Sequence, residues 1–137
     1  MTFQLYDIIF VFKELILKIN NDVPLDERGQ NKNIKFHILD EETMKSYGFG
    51  HSYGEWIYNL GITDTISLNI IITDDKEGRI DILDDDFLQP YDFQSMIINN
   101  GDKAPNVAKT TQKKVYNIIE NLVYGGIISG WNKGDYI

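Results

Sequence analysis

The chain has 137 residues with no cysteine, and its 13 Lys+Arg stand against 21 Asp+Glu, a formal charge of −8. That charge excludes non-specific attraction to DNA, RNA or anionic lipid as the main activity, because each needs a basic footprint. Missing cysteine excludes disulfides, thiolate nucleophiles and zinc–thiolate sites. The length and the 42% hydrophobic content fit one globular domain spanning 1–137.

The first 20 residues, MTFQLYDIIFVFKELILKIN, are apolar but carry Asp7 and no basic n-region. Their longest unbroken apolar run, Ile8 to Phe12, is far below the roughly 20 residues that span a bilayer. The expectation is a cytoplasmic protein without a membrane span. Leu5, Ile8, Ile9, Phe12, Leu15, Ile16 and Ile19 recur at helical spacing and predict an amphipathic helix over about 3–20. Tyr6, Phe10, Val11 and Leu17 widen its apolar stripe, so a homodimer through this helix is one possibility. Residues 24–33 read as a polar loop.

IKFHIL (34–39) alternates and reads as a strand. Asp40 is a natural N-cap for a short helix over 41–47, with Glu41 and Glu42 in its first turn, and Gly48 ends it. Ser52 and Glu55 have the S-x-x-E spacing of a capping box, which predicts a short helix carrying Trp56, Ile57 and Leu60. TISLNIIIT (65–73) is the clearest strand, with Ile66, Leu68, Ile70 and Ile72 on one face. DDKEG (74–78) reads as a turn in which Gly78 takes a positive φ, and RIDILD (79–84) returns, making an antiparallel hairpin over about 65–84. Asp92 caps a short helix with Phe93, Met96 and Ile97, ended by Asn100-Gly101. Pro105 opens a long helix whose face carries Val107, Thr111, Val115, Ile118, Ile119 and Leu122, stopped by Gly125. The tail after it has room for a short strand. Together these elements predict an α+β fold, a small antiparallel sheet packed against N-terminal and C-terminal amphipathic helices.

No decisive catalytic motif is present. GHSYG (50–54) matches G-x-S-x-G, but no histidine follows His51 to complete a triad and no clear strand precedes Gly50. Neither His37 nor His51 has the ligand spacing of a metal site, and Asp84-Asp85-Asp86 does not match a calcium-binding loop. No phosphate-cradling loop occurs, so catalysis, a metal and a cofactor are all left out of the expected function.

Two features remain. Residues 40–92 hold thirteen acids and three bases, concentrated in Asp74, Asp75, Glu77, Asp81, Asp84, Asp85 and Asp86 on the hairpin and its exit. A line of carboxylates suits a basic protein partner, since charge complementarity speeds association and selects partners. The second feature is Tyr47, Phe49, His51, Tyr53 and Trp56, threaded by Gly48, Gly50 and Gly54. Aromatics anchor interfaces or stack on a ligand, and glycine admits close approach. The chain also holds 21 Ile, 12 Asn and 11 Lys against 2 Ala and 2 Arg, a bias of AT-rich codons. The expected function is therefore a small acidic binding protein from a low-GC bacterium or its phage. It would block a basic, nucleic-acid-handling protein without touching nucleic acid, as anti-CRISPR, anti-restriction or toxin-immunity proteins do. The alternative is a nucleotide-like small-molecule binder, or an unusual enzyme, built on segment 47–58.

Overall fold

A computed structural model describes residues 31–137. The predicted helix over 3–20, and most of the loop over 24–33, lie outside the described residues. Chain order is β1 (Lys35–Phe36), α1 (Glu41–Ser46), β2 (Gly50–Ser52), β3 (Glu55–Gly61), β4 (Ile66–Thr73) and β5 (Gly78–Asp84). Then come β6 (Gln89–Pro90), α2 (Phe93–Asn100), a 3-10 turn (Gly101–Lys103), α3 (Asn106–Tyr124) and β7 (Ile128–Ser129). Strands β2 to β6 form a five-stranded antiparallel meander, and β1 pairs with β7 in a separate two-stranded ribbon. The fold is α+β.

β4 is the central strand, paired with β3 on one side and β5 on the other, and all but its last residue are buried. Ile66, Leu68, Ile70 and Ile72 are at most 1% exposed and face the helical layer. They join Ala108, Val115, Ile119 and Leu122 of α3 in one core that also takes in Phe93 and Met44. The apolar stripe of α3 runs through Ala108 and Thr111 rather than Val107, which is 41% exposed. Pro105 stands one position earlier than expected, as the N-cap with extended ψ 144, and Asn106 begins the helix.

The helix ends hold as read from the residues. Asp40 accepts from Thr43 N and Asp92 from Ser95 N. At the end of α3, Ile127 N donates to Leu122 O and Gly126 N to Val123 O, the two bonds of a Schellman motif. Gly126 supplies the left-handed residue (φ +85), while Gly125 is still helical.

Two expectations need correction. The strand at 34–39 shrinks to Lys35–Phe36, because β7, its partner among the described residues, is two residues long. Gly78 does not take a positive φ; Lys76 does (φ 67), closing a three-residue loop in which Thr73 N donates to Glu77 O. Gly78 has a different reason to be glycine. A Cβ there would lie 2.5 Å from Phe36 Cγ, so the Phe36 ring packs flat on the bare backbone of β5.

The other face of the sheet is not simply polar and solvated. Ile57 and Ile71 are buried there as a separate apolar pair. Ser67 and Asn69 are also buried, and they are satisfied sideways along the sheet. Ser67 Oγ donates to Asp85 Oδ1 at 2.9 Å, and Asn59 Nδ2 donates to Asn69 Oδ1. Among the described residues, no helix is long and apolar enough to cross a membrane.

Candidate functional site

The segment GHSYGEW folds as a β-hairpin, not as the expected capped helix. Tyr53 (φ 51) and Gly54 (φ 75) both take positive φ in a two-residue loop, and Ser52 pairs directly with Glu55 across it. The spacing that reads as a capping box is also the spacing of the closing pair of such a hairpin. Period decides between them. Trp56 and Tyr58 face the helical layer, while Glu55 and Ile57 face away, which is a two-residue repeat. The hairpin also removes the nucleophile-elbow geometry around Ser52. His51 and Ser52 are adjacent on one strand, so their side chains leave opposite faces of the sheet.

β2 and β3 carry this hairpin to one end of the sheet, where the β4–β5 turn arrives. Asp74 N donates to Gly54 O at 2.9 Å, tying the two loops together by their backbones. His51 Nε2 lies 2.9 Å from Asp74 Oδ1, and the pair is about half exposed. The imidazole packs on Trp56, its cross-strand partner, with ring centroids 4.6 Å apart. Glu41, at the start of α1, also faces this imidazole: its carboxyl is held below the usual glutamate range first by Lys45 and also by His51. Glu41 was read from the sequence only as a helix-dipole residue. Nothing at ten residues' separation signals its approach to His51. Asp75 and Glu77 are exposed beside Asp74, and Tyr53 stands at the loop tip, 51% exposed.

The seven acids do not form one line. Asp74, Asp75 and Glu77 sit at the β4–β5 turn. Asp84, Asp85 and Asp86 sit at the far end of β5, seven residues away, which is about 20 Å of strand. Asp81, between them, is largely buried and pairs with Arg79 Nε at 3.1 Å. The far-end carboxylates build the local chain. Asp84 Oδ1 accepts from the backbone N–H of Asp86 and of Phe87, and Asp85 accepts from Ser67.

The aromatic set divides as well. Phe49 (3% exposed) and Trp56 (7%) belong to the core. Tyr47 is half-buried, and His51 and Tyr53 are exposed. Glu55, on the opposite face, has its carboxyl raised above the usual glutamate range by burial. His37 is exposed and shares a hydrogen bond with Ser129 Oγ at 2.8 Å. Among the described residues, no group of three or more His, Asp or Glu is placed to hold a metal ion.

The two features picked out in the sequence therefore meet at one end of the sheet. There the exposed surface combines Asp74, Asp75 and Glu77 with His51 and Tyr53. It offers acceptor oxygens and aromatic surface. Comparison with protein-family profiles, with curated proteins and with solved structures finds no match to this chain.

Proposed function

We propose that this protein binds and blocks a basic protein that handles nucleic acid, through the surface formed by Asp74, Asp75, Glu77, His51 and Tyr53. The supporting observation is the contact of His51 with Asp74, which joins the aromatic hairpin and the acidic turn into one exposed patch. Carboxylates draw a basic partner in, and an exposed tyrosine at the tip supplies a rigid anchor. The acidic net charge and the AT-rich residue bias agree with an inhibitor carried by a low-GC bacterium or its phage. Anti-defence proteins and toxin-immunity proteins are the kinds of protein this reading favours.

The test starts with immobilised protein in a low-GC bacterial lysate, eluted with a salt step. The captured basic protein is then purified, and its association rate is followed against salt. The variant Asp74→Asn/Asp75→Asn/Glu77→Gln is expected to associate at least about ten-fold more slowly at low salt. An unchanged rate, or capture only of proteins without a basic surface, overturns the reading.

A further inference from the structure

A second surface lies away from the acidic turn, between the end of α1, β3 and the C-terminal half of α3. An open groove of about 600 Å³ runs there. Tyr47 and Tyr58 form one wall, and Asn117, Glu120, Asn121 and Tyr124 form the other. Those four α3 residues follow the three- and four-residue spacing of a single helical stripe. Ile118 and Leu122 line its apolar part.

Local geometry keeps the groove open. β2 ends its pairing with β3 at Gly50↔Ile57, so Tyr58 stands where the sheet has lost its edge strand. Gly48 (φ +98) lets the chain pass close to that ring, since a Cβ there would lie 2.9 Å from Tyr58 Cε2. Tyr124 is 93% exposed at the groove mouth.

Among the described residues the lining has a definite chemistry: three phenol rings, two carboxamides, one carboxylate and no cationic side chain. Ring faces and a carboxylate attract cations. One cation of this chain already approaches: Lys133 Nζ is 3.9 Å from Glu120 Oε1, an exposed and long pair. Such pairs contribute little and are easily exchanged. We propose that this groove binds a cationic side-chain group, a guanidinium or ammonium, against the tyrosine faces and Glu120. Lys133 is its built-in competitor. The inference does not depend on the acidic turn.

The probe is arginine amide, titrated into the labelled protein and followed by NMR. Citrulline amide is the uncharged isostere, and a capped Gly-Arg-Gly peptide represents an arginine in a polypeptide. Arginine amide is expected to shift the resonances of Tyr47, Tyr58 and Tyr124, and citrulline amide is expected to leave them in place. Glu120→Gln and Tyr124→Ala are each expected to weaken binding by about five-fold, with Tyr124→Phe retaining it. Lys133→Met is expected to tighten it by about two-fold. Peptide binding as tight as the amide supports a protein side chain as the occupant; binding of the amide without the peptide overturns it in favour of a free organic cation. Equal binding of citrulline amide, shifts confined to Asp74, Asp75 and Glu77, or unchanged affinity in the groove variants overturns the proposal. Since Tyr124 and Glu120 are exposed, these variants are expected to fold normally.

Discussion

His51 Nε2 and Asp74 Oδ1 are 2.9 Å apart, although 23 residues separate them in the chain. The pair closes the gap between a hairpin rich in aromatics and a turn rich in carboxylates. The imidazole is also seated on Trp56, with ring centroids 4.6 Å apart.

The two clusters of acids are expected to behave differently toward a basic partner. They are separated by about 20 Å of strand, roughly twice the Debye length at moderate salt. Neutralising Asp74, Asp75 and Glu77 is expected to slow association about ten-fold or more, whereas Asp86→Asn changes it by less than about two-fold. Stopped-flow kinetics at low and moderate salt read both. Equal slowing by the two variants would move the docking surface to the whole sheet edge.

Glu55 gives a pH signature. Burial raises its carboxyl in the folded chain, so the native state holds that proton more tightly than the unfolded chain does. Stability therefore falls as pH rises from the unfolded value through the raised native one. Replacing Glu55 by Gln removes this loss. Urea denaturation is expected to show Glu55→Gln more stable relative to the parent at about pH 7 than at about pH 4. The opposite trend would mean that the Glu55 carboxylate has a stabilising partner.

Gly78→Ala is expected to destabilise the fold by about 1–3 kcal/mol, since the new methyl runs into the Phe36 ring. No backbone strain contributes, because Gly78 is not at positive φ. In a Phe36→Leu background the cost of the same change shrinks. Additive costs in that double-mutant cycle would contradict the close packing of ring on backbone.

Gln94 is the buried clamp on the chain end. Its Nε2 donates to Tyr116 Oη and to Asp135 O, and its Oε1 accepts from Ile137 N, all near 3 Å. Gln94→Ala removes the partner of Ile137 N and Tyr116 Oη, while Asp135 O keeps the Trp131 Nε1 donor, and is expected to cost about 1–3 kcal/mol. Hydrogen exchange should show the Ile137 amide losing protection before the amides of α3. Unchanged protection there would mean the tail is held by Trp131, through its packing and its bond to Asp135 O.

Much of the framework was legible because it depends on neighbours in the chain. Asp40 and Asp92 reach backbone amides three residues ahead, so a cap can be read without knowing the fold. The β4–β5 hairpin was legible because the alternation from Ile66 to Ile72 sorts one face from the other. The 52–55 spacing was ambiguous, because a capping box and a two-residue hairpin both place partners three residues apart. The charge of segment 74–86 was also readable, but its division was not, because that depends on which ends of β5 the acids occupy.

By itself, the sequence determined the α+β class, the hairpin over about 65–84, the helices capped by Asp40 and Asp92, and the acidic character of the middle of the chain. These follow from local hydrogen bonding, side-chain periodicity and net charge. Only the tertiary structure decided that His51 meets Asp74, that Arg79 occupies Asp81, and that Tyr47, Tyr58 and Tyr124 frame one groove. Each of these depends on strand register and on the seat of α3 against the sheet. Those are set by burial of the whole core, a non-local free energy that no short window of residues contains.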